Sequence, residues 1–565
     1  MSTAAILRAL ESGAMRAQAQ GLSSPQRIAV ASYLSGGLKG ENIALPQSAY
    51  CGAAATPSIG DVRGPGWNGF GAGLTNARFQ SSDAAGLTVS DVPKLRLKWA
   101  FRLGDVTFAR GQPVVAGGRL FAGTQANQLY SLDAQSGCVH WVFDTAAPIR
   151  GGVIAGLSGH SSAVFFGDGA ANAYAVDFAG GKLLWKTHIE DHYAAMLTGA
   201  PNLDRGVLYF GVSSAEEGTA AMPTAECCTF RGSVVALDAA TGQRIWKTYT
   251  IAGIPKPTTK TKSGVQRWGP SGAAVWSTPT IDEKRDVIYV ATGDNYSDPP
   301  TRTSDAVLAL HRATGKILWS RQMTAGDAYT VDCDQPVKTN CPDSDGPDAD
   351  FGQPPILVSL PNGKRALVIG QKSGVAYAID PDQQGELLWQ RRLGKGGPLG
   401  GIQWGSAADS DNMYVALSDI VFHVVSDPNA PDGSRMELDP SKGGGLFALR
   451  LETGEPVWSA PPPGCGTRTN CSPAQSGAVS AIPGVVFSGS EDGHLRAYRS
   501  DTGQIIWDFD TAREYDAVNG GQAHGGSLDG GGPAVAGGMV YVNSGYGNYG
   551  GVPGNALLAF SVDGK

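Results

Sequence analysis

One phrase recurs along this chain and constrains its fold more than any other feature. Two or more apolar or small residues, often followed by Asp, lead into a turn ending in Gly, and the next apolar run closes on Trp. It reads YSLDAQSGCVHW at Tyr130–Trp141, YAVDFAGGKLLW at Tyr174–Trp185 and VALDAATGQRIW at Val235–Trp246. It returns as LALHRATGKILW at Leu308–Trp319, YAIDPDQQGELLW at Tyr377–Trp389, FALRLETGEPVW at Phe447–Trp458 and RAYRSDTGQIIW at Arg496–Trp507. Each phrase is a hairpin: the alternating residues form a strand, Gly supplies the positive φ of the turn, and the return strand ends on a bulky indole. Strand-like runs such as PVVAGGRLFAGT (Pro113–Thr124) and DVIYVATG (Asp286–Gly293) lie between the phrases. About four strands per repeat is the content of a propeller blade.

Seven phrases are complete and an eighth is split. The chain ends on LLAFSVDGK (Leu557–Lys565), and the missing Trp strand is KLRLKWAFRL (Lys94–Leu103) with Trp99. The expectation is an all-β, eight-bladed propeller closed by pairing an N-terminal with a C-terminal strand, which removes an open sheet edge. Residues 1–45 read as two helices and 46–93 as a linker and lead-in, leaving 94–565 for the propeller. Long spacings between the central Trp residues point to insertions at Ile251–Gly272, Tyr329–Gly352 and Ser426–Lys442, expected to frame a binding mouth and set specificity.

Composition agrees: of 565 residues 79 are Gly and only 17% are charged, as suits a turn-rich β protein. With 44 Lys+Arg against 51 Asp+Glu there is no basic excess, and nucleic acid is excluded as a partner. No apolar run approaches the roughly 20 residues of a membrane span, so no transmembrane anchor is expected. No secretory leader is read at the start of the chain. Cys227/Cys228, Cys333/Cys341 and Cys465/Cys471 form close pairs, and Cys51 and Cys138 remain; the two short loops read as disulfide-pinned, which implies an oxidising compartment such as a periplasm.

The Trp-closed phrases, with AECCTFRGSVVALDAATG, VWSTPTIDEKRDVIYVATGDNYS and AHGGSLDGGGPAVAGGMVYVNSGYG, resemble the pyrroloquinoline quinone (PQQ)-dependent alcohol dehydrogenases, and within them the polyvinyl alcohol dehydrogenases. The resemblance covers about residues 60–565. It implies oxidation of alcohols, most readily secondary ones, with PQQ and Ca²⁺ as cofactors and electrons passed to a separate cytochrome c or a dye.

The same resemblance assigns site residues. Trp276 in GAAVWSTP is similar to the indole on which PQQ stacks. MLTGAP and GVSSAEEG imply that Thr198 and Ser213 touch the cofactor and that Glu216 binds metal, with Glu217 one residue away as the alternative. TGDN places Asp294 where the family has a metal-binding Asn, with Asn295 in reserve; a carboxylate still suits Ca²⁺. TSDAVLAL puts Asp305 at the catalytic, metal-linked position, and Lys372 in GQKSG at the position of a cation facing the quinone oxygens. Val307 stands where lanthanide-using relatives carry a second carboxylate, which favours calcium. Arg150 in APIRGG resembles a carboxylate-binding Arg, and Gln403 and Trp404 are matched to the cavity. Arg110 falls where the family has a carboxylate. The vicinal pair Cys227–Cys228 is matched to a disulfide covering the cofactor, although it sits in a different blade here.

Residues 1–37 resemble the end of a cytochrome c domain, but C-x-x-C-H is absent, so covalent haem is not expected in this chain. The alternative to an enzyme is a non-catalytic scaffold propeller of the outer-membrane assembly type, which shares the blade phrase and lacks the metal–quinone residues.

Overall fold

In a computed structural model the described residues are 44–52 and 66–564, apart from 222–224, 263, 335–337, 427–433, 467 and 469–470, together with the single positions 10, 15, 19 and 62. The helices expected over 1–45 fall almost entirely outside the described residues.

Eight sheets of four principal antiparallel strands stand around one axis. Blade I runs from Val114 to Asp144, blade II from Ile154 to His188, blade III from Asn202 to Tyr249 and blade IV from Thr280 to Gln322. Blade V covers Ile356–Arg392, blade VI Ala407–Ala460 and blade VII Ser480–Asp510. Blade VIII takes three strands from Ala534–Ser561 and its outer strand, β1 (Arg96–Arg102), from the other end of the chain. There Arg96 faces Ser561 and Trp99 faces Ala559, so the ring closes as the split phrase predicts.

The repeated Trp and the turn Gly are two halves of one contact between blades. The Trp141 indole N–H donates to Phe178 O (3.0 Å), Trp185 to Ala239 O (3.0 Å), Trp246 to Arg312 O (3.0 Å) and Trp389 to Leu451 O (2.7 Å), each acceptor lying in the following blade. The turn Gly of that following blade lies flat on the same ring. At Gly242 (φ +71°) an added Cβ would stand 2.6 Å from Trp185, and at Gly315 (φ +70°) 2.4 Å from Trp246. Glycine is therefore demanded twice, by the left-handed backbone and by the indole.

The stretch expected as a linker does more than connect. From Trp67 to Gln80 the chain passes beneath the blades and bonds to them in circular order. Val115 N of blade I donates to Trp67 O (2.9 Å), Asn68 exchanges two 2.8 Å bonds with Ala155 of blade II, and Asn202 of blade III reaches Leu74 O. Ile281, Leu357, Ala408 and Ala481, in blades IV to VII, donate to Leu74, Thr75, Ala77 and Arg78. Gln80 completes the circuit at Val535 O of blade VIII.

Arg78, wholly buried, fastens this segment. Its guanidinium donates to Val479 O, Phe70 O, Gln112 Oε1, Ser480 Oγ, Gly531 O and Pro533 O, and packs on Phe70 and Trp67. No carboxylate pairs with it among the described residues, and burial pulls it down to about 9.

All eight cysteines are paired: Cys51–Cys138, Cys227–Cys228, Cys333–Cys341 and Cys465–Cys471. Cys51–Cys138 ties residues 44–52 to the outer turn of blade I. No helix among the described residues is long and apolar enough to cross a membrane.

Candidate active site

The loop entering each blade places one residue against the axis, four positions before the innermost strand. Counting back four from the strand starts at 114, 154, 202 and 280 gives Arg110, Arg150, Thr198 and Trp276. From 356, 407, 480 and 534 it gives Gly352, Gln403, Ser476 and Gly530. All eight line the axial space. On one side of this ring lies a narrow hollow above Phe70; on the other is a cavity of about 520 Å³, within the range of small-molecule sites.

Two indoles build the floor, Trp276 and Trp404, edge to face with centroids 5.4 Å apart. Thr198 Oγ1 donates to Trp276 O (3.0 Å) and lies 2.9 Å from Ser213 Oγ, so both hydroxyls face the cavity beside the Trp276 loop. Arg150 lies 4.9 Å over the Trp404 ring, and Lys372 Nζ 5.3 Å over Trp276. Gln403 lines the wall, its amide donating to Gly400 O.

An acidic cluster occupies one side. Carboxylate oxygens of Glu217, Asp294 and Asp350 lie within 4.8 Å of one another. Lys372 Nζ donates to Asp350 Oδ2 (3.0 Å) and to Asp348 Oδ1 (2.8 Å). Asp294 is 1% exposed, yet neither of its carboxylate oxygens has a hydrogen-bond partner. Burial, then Asp350 and Glu217, push its carboxyl well above the usual range; burial raises Glu217 to about 7 against the opposing pull of Lys372. A buried carboxyl without donors, set against two more carboxyls that repel it, suits a hard cation with oxygen ligands, so the residues present fit the metal of the sequence reading.

The structure redistributes several expected roles. Glu216 points away: its oxygens accept from Thr229 N (2.9 and 3.0 Å) and Phe230 N (2.8 Å). The two glutamates share a single helical turn, Glu216–Thr219, where neighbours face different directions, and Glu217 is the one turned into the cavity. Asn295 spends its amide on Ser271 O and its oxygen on Thr301.

Asp305 does not line the cavity. Its φ is +48°, its oxygens are buried without donors, and burial, with Asp327 and Asp350 nearby, pushes its carboxyl well up. The carboxylates two residues apart that do line the cavity are Asp348 and Asp350. Cys227 and Cys228 are likewise absent from the lining; they pack in the core with Phe230 and Tyr296, and Cys227 bridges Arg267.

Sequence reasoning missed Asp348, Asp350, Glu491 and Asp529, all of which line the cavity. Glu491 had a findable signal: Gly489–Gly493 of blade VII stands in the same turn as Gly370–Gly374 of blade V, which puts Glu491 in register with Lys372. Of the three insertions, Tyr329, Val331 and Asp334 come from the second, while Phe422 and Met436 come from a hairpin (Phe422–Ser426 with Ser434–Leu438) that carries the third. The first folds as a hairpin, Lys256–Lys260 with Gln266–Gly269, that contributes nothing to the lining.

Residues 67–392 match the family described as glucose/ethanol/alcohol dehydrogenase, β-propeller domain, of the PQQ class, and residues 371–552 match outer membrane protein assembly factor BamB. A polyvinylalcohol dehydrogenase of Pseudomonas sp. is 43% identical over 99% of this chain and 89% of its own length; that of Sphingopyxis sp. is 41% identical over 99% and 88%. Among solved structures, quinohemoprotein alcohol dehydrogenase from Comamonas testosteroni superposes with a TM-score of 0.64 at 20% identity, covering 89% of this chain and 81% of that one.

Proposed function

Because the chain belongs to the PQQ-dependent alcohol dehydrogenases, alongside the polyvinyl alcohol dehydrogenases, we propose that its axial cavity binds PQQ and a hard cation and oxidises secondary alcohols, polymeric ones included, to ketones. The observation that carries this reading is the convergence at one cavity of an indole floor, two arginines and an acidic cluster, whose Glu217 and Asp350 line the wall with Asp294 buried against them. The scaffold alternative accounts for the blades and for none of these residues.

When bound, PQQ supplies a hydride acceptor and the cation polarises it. Trp276 provides a flat apolar surface for a planar ring system. Glu217, Asp294 and Asp350 hold the ion. Lys372 is fixed by Asp348 and Asp350; burial opposes its charge, but those carboxylates and Glu217 raise it well above the ordinary lysine range, so it stays cationic beside the floor. Asp348 is the one carboxylate of the group outside the three-oxygen cluster, and it takes the proton of the substrate hydroxyl.

Val331, Ile420, Phe422 and Met436 at the mouth give apolar contact to a substrate whose hydroxyl enters the polar interior. A chain of alternating methylene and carbinol groups matches that division, as the names of the similar enzymes suggest. The electron acceptor is an external cytochrome c, and four disulfides suit a periplasmic location. Apo-protein supplied with PQQ and Ca²⁺ is expected to reduce a dye when given a secondary alcohol, and to do nothing when either is withheld. Silence across polymeric, cyclic and short-chain alcohols would overturn the reading.

Calcium is one candidate ion. Four carboxylates (Glu217, Asp294, Asp348 and Asp350) against one lysine leave a net charge that a trivalent ion neutralises as well. Saturating the apo-protein with the right ion at a hundred times its Kd should add about 2.7 kcal/mol of stability. Thermal melts with Ca²⁺ and with La³⁺ decide between them. Glu217→Gln should lose most of that response, whereas Glu216→Gln should lower the baseline Tm and keep it.

A further inference from the structure

The hairpin that carries the third insertion presents apolar side chains to solvent at the mouth of the cavity. It pairs Phe422 with Leu438 and Val424 with Met436, and residues opposite one another, or two apart along a strand, share a face. One face of this ribbon therefore carries Phe422, Val424, Met436 and Leu438, none of them charged, while His423 and Glu437 lie on the reverse. Leu438 is buried at the base, whereas Val424 is 66% and Met436 59% exposed. Of the five large apolar side chains more than half exposed among the described residues, Met436 and Tyr549 line the cavity and Val424 is paired with Met436. Single exposed apolar residues are scattered over any protein surface; their gathering at one opening marks a place of contact.

Two observations identify what makes that contact. Phe422 and Met436 line the cavity as well as the ribbon face, so whatever lies on the face lies across the entrance. A protein seated there would shut the substrate out, whereas the substrate's own continuation would not. The cavity, about 520 Å³, has the volume of a site for one small molecule and must also hold the cofactor. A polymeric alcohol can place only the reacting carbinol and its near neighbours inside, and for a carbinol in mid-chain the remainder must emerge over the rim. A face without charges suits a chain of methylene and carbinol groups, which has no charge to be paired.

We propose that this ribbon face is an outer subsite that holds the emerging length of a polymeric secondary alcohol, with Val424 as the residue that separates polymer from small substrate. Val424 does not line the cavity, so it touches only the part of the substrate that lies outside. The inference rests on the alcohol dehydrogenase reading and deepens it.

The test compares polyvinyl alcohol with isopropanol, which fits inside the cavity, in dye-coupled turnover by the loaded enzyme. Val424→Asp should lower kcat/KM for the polymer about tenfold, through KM, since a valine side chain is lost from the contact and a charge must be desolvated. Turnover of isopropanol should stay as in wild type, and Val424→Leu should keep the polymer activity. Val424→Thr, which preserves shape and strand preference, serves as a second variant should the first fail to fold, and should lose about threefold on the polymer alone. Native gels cast with polyvinyl alcohol give a readout that needs no cofactor: the polymer should retard wild type and Val424→Leu more than Val424→Asp, each measured against a gel without it. An unchanged polymer KM in a folded variant, equal losses on both substrates, or a variant that alters only concentration-dependent self-association overturns the proposal. Wild type that oxidises isopropanol but neither oxidises nor is retarded by the polymer overturns it too, while leaving the dehydrogenase reading intact. Inactivity of wild type on both alcohols overturns both.

Discussion

Asp348→Asn is expected to lower turnover of a secondary alcohol by about 10²–10⁴-fold while PQQ still binds, because it removes a general base and leaves the cavity's shape unchanged. Asp348 is buried, lines the cavity, and lies 2.8 Å from Lys372 Nζ. Burial holds its carboxyl well above the ordinary range, with Lys372 pulling the other way, which makes the ionised form a stronger proton acceptor than an exposed aspartate. The matched control is Asp305→Asn. The sequence resemblance made Asp305 the base, but it does not reach the cavity, so its amide variant should turn over within a few-fold of wild type. Single-turnover rates with saturating PQQ, alongside PQQ affinity by fluorescence, separate the two variants. A normal rate in Asp348→Asn would return the base assignment to the other buried carboxyls.

Arg78→Met is expected to cost about 3–5 kcal/mol of stability, comparable to breaking a buried charged network. Six acceptors from the lead-in segment and blades I, VII and VIII converge on this guanidinium, and of these Pro533 O accepts from Ser480 Oγ as well. Methionine fills the space beside Phe70 and Trp67 but donates to none of them, and each buried acceptor that has no other donor costs about 1–3 kcal/mol before relaxation. Arg78→Lys should recover only part of the loss, since an ammonium has three donors and no planar fork. Urea unfolding followed by tryptophan fluorescence reads the midpoint shift. A midpoint unchanged in Arg78→Met would show that the segment beneath the blades is held by its backbone bonds alone.

The blades were legible because the signal is repeated: an indole, a glycine and an apolar alternation recur until chance is excluded, and the split phrase announces the closing strand. The axial ring was legible in part. Trp276, Thr198, Arg150 and Gln403 all stand at the same offset from an inner strand, so register finds them even without a resemblance. Glu217 was not separable from Glu216, since adjacent positions in one helical turn differ only in direction. Asp348 and Asp350 lie in a long insertion with no repeat partner, so the blade register does not reach them. The circuit from Trp67 to Gln80 left little pattern because it is traversed once: its side chains, Asn68, Arg78 and Gln80 among them, meet different blades and have no repeat partner to announce them.

The pairing of β1 with Ala556–Ser561 sets the order in which the molecule is completed. A strand made early must wait for Ala556–Ser561 to be synthesised, and the circuit beneath the blades likewise gains its full set of partners only when blade VIII exists. A chain that stops short of residue 556 would therefore leave Arg96–Arg102 unclasped. Synthesis of residues 556–561 and acquisition of a closed ring are, for this architecture, coupled.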